Sequence, residues 1–293
     1  MTAPDCSSLV VTGDRAGDRT TVRVGLQWPL KPDYLALIAA RDWGLAASRG
    51  ISLELSEPKA HSDGLAALER GECDLILINP LHLSDAPAHG CEALGCLSQT
   101  RGGVLAREDR LGKLRAGEIV RVASMISGPL SDSLCRRILQ SWAGTQGFAV
   151  AETQIVVEPA EFYHVDSLRA GFDAAWLASA NTDEVAARQQ GIAVRLLTEE
   201  QAGLPGFSAF ELVARKARRP DETQSYEMLI ALLETAVRRL KSDPQAAVRL
   251  WRQASGHDSD EAAQVLATLP CLLIPPNRTP GRWNVLAGLL QQA

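Results

Sequence analysis

Two patterns of hydrophobic positions alternate along the chain. Residues 21–26 form a short run with valines and leucine at its centre and end, which predicts a buried strand. Apolar residues then recur at helical spacing between Tyr34 and Leu45, and Gly50 follows, which predicts an amphipathic helix that ends at a glycine. Residues 51–55 alternate between apolar and polar positions, so we expect a second strand there.

The same alternation continues as far as residue 214. Further strands are predicted at residues 74–78, within 93–107, and at 119–125, 154–157, 174–177, 194–197 and 207–214. Helices are predicted between them, at residues 63–70, 109–116, 130–142, 165–171 and 182–190. Strands that alternate with helices are typical of an α/β protein with mainly parallel sheets.

The last third of the chain has a different pattern. Helices are predicted near residues 221–241, 244–254, 259–268 and 280–291, and a proline-rich stretch at 270–280 precedes the last of them. No run in this part has the periodicity of a strand. We therefore expect a C-terminal helical segment that packs against the α/β part.

Length and composition exclude several kinds of protein. The chain has 293 residues, 46% of them hydrophobic, which is more than one core of ordinary size holds, so two lobes are expected. The formal charge of −5, from 30 basic and 35 acidic residues, leaves no broad cationic surface for a nucleic acid. No apolar run approaches the roughly 20 residues that span a bilayer, so a membrane span is not predicted.

The N-terminal segment contains one small apolar cluster, at residues 9–11, between polar stretches. An export signal would need an apolar stretch of roughly 7 to 15 residues. We therefore predict a disordered arm over residues 1–20 and a cytoplasmic protein. A periplasmic location would follow instead if a leader segment has been removed.

Cysteine and histidine spacing gives no metal motif. The six cysteines form no CxxC pair, and Cys91 with Cys96 is the closest pair. A structural zinc site would need a second pair of ligands, and the five histidines do not supply one. Neither a metal nor another cofactor is predicted, and the cysteines are interpreted as small buried hydrophobes.

Several segments resemble one known family. Residues 22–80 contain a strand before a Trp-Pro turn, then Ala-x-x-x-Gly-Leu in a helix, Gly-Ile-x-Leu-Glu-Leu, and Ala-Leu-x-x-Gly-Glu-Cys-Asp-Leu. Later segments are Leu-Arg-Ala-Gly-Phe-Asp-Ala-Ala-Trp at 168–176, Phe-Ser-Ala-Phe-Glu-Leu-Val-Ala at 207–214 and Asp-Pro-Gln-Ala-Ala-Val-Arg-Leu-Trp at 243–251. From residue 22 to the end, the chain resembles the type II periplasmic-binding-protein group that includes thiamine-pyrimidine-precursor synthases and sulfonate-binding proteins.

The resemblance implies a two-lobed α/β fold with mainly parallel sheets, two crossing strands and a C-terminal helical segment. Lobe one would comprise residues 20–106 and 208–293, and lobe two would comprise residues 107–207. The crossing strands would lie near 104–107 and 207–212. A small-molecule ligand would bind in the cleft between the lobes, which would close around it.

In such a fold the cleft is lined by residues that directly follow strand ends, where helix N termini also point. This rule and the residue types select ten candidate ligand-binding residues, namely Gln27, Trp28, Tyr34, His61, Asn79, Ser127, Gly128, His164, Trp176 and Asn181.

Each candidate type also has a purely structural alternative. A tryptophan at position 28 or 176 can stack on a planar ring, or it can pack in a core, and Tyr34 has the same two possibilities. Gln27 and Asn79 can read the edge of a ring, or they can satisfy backbone groups at strand ends.

The remaining candidates concern anions and protons. His61 and His164 can donate to an anion or act as acid or base, or they can be helix-capping residues. Ser127 and Gly128 form an anion-binding turn or an ordinary helix start.

Two functions follow from these candidates. The first is binding of a small polar planar or anionic solute, heterocyclic or sulfur-containing, with an ABC importer as partner if the protein is exported. The second is a cytoplasmic enzyme on the same scaffold, thiamine-pyrimidine-synthase-like or desulfinase/lyase-like, which acts on a small sulfur- or nitrogen-containing metabolite. His61 or a cleft cysteine would then be the catalytic residue.

The enzymes of the group have features that this chain lacks. The resemblance to the synthases implies a cluster of cysteines, which does not occur here, and the resemblance to desulfinases implies a cleft cysteine near the first strand, where this chain has Gln27 and Trp28. The sequence leaves the choice between enzyme and binding protein open.

Overall fold

The computed structural model describes residues 20–58, 64–82, 90–126, 128–160, 163–256, 261–277 and 288. The strands in this part are β1 (Thr20–Leu26), β2 (Ile51–Ser56), β3 (Leu75–Ile78), β4 (Cys91–Gln99), β5 (Gly102–Arg107), β6 (Val120–Ser124), β7 (Ile155–Pro159), β8 (Ala174–Ser179), β9 (Val194–Thr198), β10 (Ala209–Arg215) and β11 (Leu272–Asn277).

The α-helices alternate with the strands up to β9 and dominate after β10. They are α1 (Leu35–Asp42), α2 (Gly64–Glu69), α3 (Gly112–Ala116), α4 (Pro129–Thr145), α5 (His164–Arg169), α6 (Val185–Gln189), α7 (Pro220–Ser242), α8 (Pro244–Ser255) and α9 (Ala262–Thr268). Among the described residues, no helix is long and apolar enough to cross a membrane.

The strands form two separate sheets. The first has the order β11-β4-β10-β3-β1-β2, and the second has the order β7-β6-β8-β5-β9. We call the units built on these sheets the first lobe and the second lobe. Helices cover both faces of each sheet, so the mixed α/β architecture predicted from the alternation of strands and helices is confirmed.

Strand β3 shows why both faces are covered. Leu75 and Leu77 belong to the cluster that contains α1, α7 and α8, whereas Ile76 and Ile78 belong to the opposite cluster with α2. Successive side chains of a strand point to opposite faces, so a run of four buried apolar residues requires packing on both sides.

The sheets are more mixed than the sequence pattern indicated. Strands β1, β2 and β3 are parallel in the first lobe, as are β6, β7 and β8 in the second. The partners of β10 and β5 run antiparallel to them. The physical reason is that β5 and β10 follow the points where the chain passes between the lobes, so they enter their sheets without a crossover helix.

The crossing points differ from the predicted boundary. The resemblance places β5 up to residue 106 in lobe one, but β5 pairs with β8 and β9 of the second sheet. The chain passes between the lobes at residues 100–101 and again at 199–208. These two crossing segments are hydrogen-bonded to each other, with Thr100 N–H donating to Ser208 O at 2.9 Å and Glu199 N–H donating to Gly102 O at 3.0 Å.

The sequence pattern also missed strand β11 in the proline-rich stretch. It pairs antiparallel with β4 at the edge of the first sheet. Pro275 and Pro276 have no N–H to donate, so this segment lacks an ordinary strand signal and is tolerated only at an edge. The helix predicted at residues 280–291 and the arm predicted at 1–20 lie outside the described residues, apart from Thr20 and Gly288.

Candidate functional site

A cavity of about 300 Å³ lies between the two lobes. It is bounded by residues that follow the carboxyl ends of parallel strands in both sheets, as expected for this type of fold. From the first lobe come Trp28, Lys31, Asp33, Asn79, Phe210 and Trp251, with Glu261 and Gln264 from the C-terminal helices. From the second lobe come Met125, Tyr163, His164, Leu177, Ser179, Thr182 and Asp183.

Of the eight sequence candidates that the structure describes, three contribute to this cavity, namely Trp28, Asn79 and His164. Trp28 follows β1 and is at the same time part of the first-lobe core, with 8% of its surface exposed. Asn79 follows β3, and its side-chain Oδ1 accepts a hydrogen bond from Leu81 N–H at 2.9 Å. The backbone N–H of Asn79 donates to Gln27 Oε1, so these two strand ends are tied together.

Gln27 and Tyr34 are behind this wall and are not among its residues. Gln27 is 5% exposed and serves the backbone of Asn79, which is the structural alternative for an amide at a strand end. Tyr34 is buried, and its ring packs edge-on against Phe210 with centroids 5.3 Å apart. Its hydroxyl accepts a hydrogen bond from Trp28 N–H, and burial raises its pKa well above the usual range. Tyr34 therefore supports two wall residues from behind.

Trp176 also lies in a core and not at the cavity. It is fully buried in the second lobe, where its indole N–H donates to Ser131 Oγ at 2.8 Å and its ring packs against Phe207. Strand alternation explains the position, because Trp176 faces the α4 side of β8. The ligand role predicted for Trp176 is thus replaced by a packing role.

The neighbour of Trp176 in β8 has an unusual backbone. Leu177 adopts a left-handed conformation with φ of 63°, where the register between β5 and β8 shifts by one residue. A branched residue at positive φ is strained by about 1 kcal/mol or more, and such strain clusters at functional sites. Here the bulge places Leu177 in the cavity wall.

His164 and Asp183 form the most buried ion pair of the cavity. His164 Nδ1 lies 2.8 Å from Asp183 Oδ1, and His164 Nε2 lies 2.8 Å from the carbonyl oxygen of Trp176. A carbonyl only accepts, so Nε2 carries a proton, and a carboxylate oxygen at Nδ1 favours a proton there as well. Both ring nitrogens of His164 are therefore engaged within the protein.

Asp183 is surrounded by donors. Its Oδ2 accepts hydrogen bonds from Ser179 N–H at 2.8 Å, Ser179 Oγ at 2.7 Å and Thr182 Oγ1 at 3.3 Å. Burial would raise the pKa of Asp183, but the charge and hydrogen bond of His164, together with Lys31 and the Ser179 N–H, hold that pKa well below its usual range. The carboxylate is therefore ionised and fully used within the wall.

These residues do not form a nucleophilic triad, although Ser179, His164 and Asp183 lie together. In a triad the serine hydroxyl is hydrogen-bonded to the histidine, whereas Ser179 Oγ here donates to the carboxylate. Both nitrogens of His164 are already bonded within the protein. The arrangement can hold a fixed charge distribution, but neither nitrogen of His164 is hydrogen-bonded to Ser179 Oγ.

Asn181 connects the two lobes. Its Nδ2 donates to Asp33 Oδ1 at 3.0 Å and to Thr268 Oγ1 at 2.8 Å, and all three residues are buried. Thr268 Oγ1 itself donates to Gln264 O, so it must accept from Asn181, and the orientation of the amide is determined. The strand-end rule found Asn181 because it follows β8, but its bonds are to α9 and to the turn before α1.

We expect Asn181→Ala to loosen the closed arrangement of the lobes. The substitution removes both interlobe hydrogen bonds and leaves the buried Asp33 carboxylate short of a donor, at a cost of about 1–3 kcal/mol. Small-angle X-ray scattering would then give a larger radius of gyration than for the unmodified protein. Gln190→Ala is the control, because Gln190 is an exposed residue of the same cavity wall. An unchanged scattering curve for Asn181→Ala would contradict the role of Asn181 in holding the lobes together.

The remaining candidates contribute no described contact to the cavity. Gly128 precedes α4 in an extended conformation and is not a wall residue among the described positions. His61 and Ser127 lie outside the described residues. The anion-binding turn and the catalytic histidine proposed from the sequence stay predictions.

The sequence rule missed Lys31, Asp33, Phe210 and Asp183. Asp183 was within its reach, because it lies four residues after the end of β8, close to Asn181. Lys31 and Asp33 belong to a turn after β1, and Lys31 Nζ lies 5.0 Å from the centre of the Phe210 ring. No one-dimensional signal joins Lys31 to a residue of β10, because the pairing of β10 with β3 brings them together.

The described cysteines, at positions 73, 91, 96, 135 and 271, lie outside this wall. None of the described wall residues is a cysteine. Burial raises the pKa of the Cys73 thiol to about 11 and also raises the pKa of the buried Cys135 thiol, so both are poor nucleophiles. Within the described residues, no group of three or more histidine, cysteine or acidic side chains is placed to hold a metal ion.

Comparison with known proteins identifies the architecture. No protein-family model and no curated protein matches the sequence. Among solved structures, the chain is similar to the periplasmic aliphatic sulphonate binding protein SsuA from Escherichia coli, with 18% identity, a TM-score of 0.67, and coverage of 93% of this chain and 92% of that one.

Two further structures give the same result. The alkanesulfonate-binding protein SsuA from Xanthomonas axonopodis pv. citri, bound to MOPS, has 20% identity, a TM-score of 0.62, and coverage of 89% and 86%. The periplasmic nitrate-binding protein NrtA from Synechocystis PCC 6803 has 13% identity, a TM-score of 0.60, and coverage of 80% and 66%. The chain therefore has the two-lobed fold of periplasmic binding proteins.

Proposed function

We propose that this protein binds a small solute in the cavity between its lobes and releases it when the lobes separate. The observation that carries the proposal is the cavity itself, which has walls from both lobes. Beside it, Asn181 of the second lobe is hydrogen-bonded to Asp33 and Thr268 of the first. A site divided in this way is complete only when the lobes are closed, so binding and closure are coupled. The fold shared with sulfonate- and nitrate-binding proteins supports this type of function.

The composition of the wall supports a ligand with a planar part. Trp28, Phe210, Trp251 and Tyr163 are aromatic, and they alternate with polar groups such as Asn79. Small-molecule sites commonly combine apolar surface with a few placed polar groups. The resemblance to proteins of thiamine-pyrimidine metabolism, noted from the sequence, points to a heterocycle as one such ligand. The wall chemistry favours binding over catalysis, because it offers no free base beside a nucleophile among the described residues.

A partner follows from the same proposal. Binding proteins of this fold deliver solutes to ABC importers, so an importer would receive the solute if this chain works outside the cytoplasm. The cytoplasmic location predicted from the N-terminal segment stays a prediction.

Native mass spectrometry of the purified protein tests the function directly. We expect a one-to-one complex with a co-purified small molecule, which dissociates under mild activation. Calorimetry of the stripped protein with nitrate, ethanesulfonate, MOPS and the co-purified molecule then compares solute classes. Absence of an adduct together with absence of heat for every compound would contradict the proposal.

The variant Tyr163→Ala tests whether this part of the cavity wall contacts the solute. Tyr163 contributes to the wall but is 60% exposed, so truncation should change the unfolding free energy by no more than about 0.5 kcal/mol. Loss of an aromatic contact should weaken binding of the co-purified molecule by about 2- to 10-fold in calorimetry. Trp28→Ala is less suitable, because Trp28 is a core residue and its truncation costs about 3–5 kcal/mol.

Ile119→Ala is the control for Tyr163→Ala. Ile119 is 57% exposed in the second lobe and is not a wall residue. Equal affinities for the two variants would show that Tyr163 takes no part in binding.

A further inference from the structure

Asn79 is fixed in the cavity wall by hydrogen bonds to three other residues. Its backbone N–H donates to Gln27 Oε1, its backbone oxygen accepts from His82 N–H at 3.1 Å, and its side-chain Oδ1 accepts from Leu81 N–H at 2.9 Å. Asn79 is 7% exposed and contributes to the wall of the cavity. The protein therefore holds this side chain in one position beside the space that a solute would occupy.

The remaining polar group of Asn79 is the NH₂ of its side chain. An amide oxygen accepts and an amide nitrogen donates, so the hydrogen bond from Leu81 N–H identifies the oxygen and thereby the orientation of the amide. Among the contacts of the described residues, Asn79 Nδ2 makes no hydrogen bond, and it is not a fully enclosed atom. The protein thus leaves a positioned donor for an acceptor that comes from outside.

Aromatic wall residues flank Asn79 on both sides. Strand β3, which Asn79 follows, lies between β1 and β10 in the first sheet. The parallel register of β1 and β3, continued past the strand ends, places Trp28 beside Asn79, and the antiparallel register of β3 and β10 places Phe210 on its other side. Neighbouring strands lie about 4.8 Å apart. The free donor therefore stands between two aromatic residues of the same wall.

Resting on the proposed function, we propose that Asn79 Nδ2 donates a hydrogen bond to an acceptor on the edge of a planar solute, such as a carbonyl oxygen or a ring nitrogen. Trp28 and Phe210 supply apolar surface for the planar part, and the amide recognises its edge. A solute that presents only N–H groups to Asn79 leaves the donor without a partner, and such a site rejects it. Asn79 is therefore the residue that determines this part of the specificity.

Two probes of the same shape test the requirement for an acceptor. Benzamide has a carbonyl oxygen where benzamidinium has a second nitrogen that only donates. Ligand-detected NMR titration at pH 7, with each probe at up to about 10 mM, should show benzamide binding at least about ten-fold more tightly. Tighter or equal binding of benzamidinium, or a co-purified molecule without an acceptor on a planar part, would overturn this proposal and leave the proposed function intact. Absence of binding for both probes, together with absence of a co-purified molecule, would overturn both.

Asn79→Asp tests whether this residue recognises the acceptor. The substitution keeps an oxygen for Leu81 N–H and replaces the NH₂ by a second acceptor, so benzamide binding should fall by at least about ten-fold and benzamidinium binding should rise. A merely structural role of Asn79 would weaken both probes alike.

Gln224→Glu is the control for the added charge, because Gln224 is an exposed residue of α7 and is not a described wall residue. The same reversal in Gln224→Glu, or an unchanged preference in Asn79→Asp, would overturn the role of Asn79. The comparison of the two probes on the unmodified protein decides the need for an acceptor even if Asn79→Asp fails to fold.

Discussion

Replacing Glu199 by glutamine is expected to stabilise the protein at pH 8 and to leave its stability nearly unchanged at pH 4. Glu199 is completely buried at the second crossing segment. Its Oε2 accepts hydrogen bonds from Phe207 N–H at 2.7 Å and from Ser208 N–H at 3.2 Å, and its Oε1 is hydrogen-bonded to Ser208 Oγ. No cation is paired with Glu199 in any described ion pair.

The pH dependence of the stability follows from the direction in which the pKa of Glu199 is shifted. Burial raises the pKa of Glu199 from 4.5 to about 7, with a smaller contribution from Glu200, although the three hydrogen bonds lower it. The folded protein thus holds a proton that the unfolded chain releases between these pH values. Stability from this group is fully present below about pH 4.5 and is lost as the pH rises through about 7, by on the order of 3 kcal/mol.

Glutamine resembles the protonated acid at this position. Its Nε2 can donate to Ser208 Oγ while its Oε1 accepts from the two backbone N–H groups, and it does not ionise. Urea unfolding at pH 4 and pH 8 would measure the difference between variant and unmodified protein. Glu200→Gln is the control, because Glu200 is exposed. If Glu199→Gln changed the stability equally at both pH values, the raised pKa of Glu199 in the folded protein would be contradicted.

Removing the Asp183 carboxylate is expected to have the other large effect. Asp183→Ala leaves His164, Ser179 N–H and Ser179 Oγ without their acceptor, and removal of one partner of a buried ion pair costs about 3–5 kcal/mol. Asp183→Asn should cost much less. An asparagine Nδ2 can donate to a neutral His164 at Nδ1, while its oxygen still accepts from Ser179.

The pH dependence of the stability tests whether the charge of the Asp183 carboxylate causes the loss. Because the pKa of Asp183 is lowered in the folded protein, its stabilisation is present above about pH 4 and is lost as the pH falls further. Urea unfolding at pH 7 and pH 3 should therefore show a smaller difference between Asp183→Ala and the unmodified protein at the lower pH. Asp166→Ala, at an exposed position of the same wall, should change stability by no more than about 0.5 kcal/mol. An Asp183→Ala protein as stable as the unmodified one would contradict the role of the pair.

The positions of single strands and helices can be predicted from the sequence, because they depend on residues that are close together along the chain. Strand β3 is a run of four apolar residues, and helix α7 has apolar residues at helical spacing after Pro220, so both were visible in one dimension. The strand-end rule also found Trp28, Asn79 and His164 in the wall, because the carboxyl ends of parallel strands meet at one edge of a sheet. Trp176 lies inside a strand, so the sequence left its ligand and core roles open, and the face to which its side chain points decides for the core.

The sequence by itself determined a two-lobed α/β protein and the strand ends at which its cleft forms. Only the tertiary structure decided how β5, β10 and β11 join their sheets, because strand pairing depends on contacts between distant residues. The tertiary structure also decided which polar side chains are hydrogen-bonded to one another within the protein. Asn181 is separated from Asp33 by 148 positions, yet a hydrogen bond joins their buried side chains across the two lobes. That contact follows from the way the two lobes pack together and not from any motif in the chain.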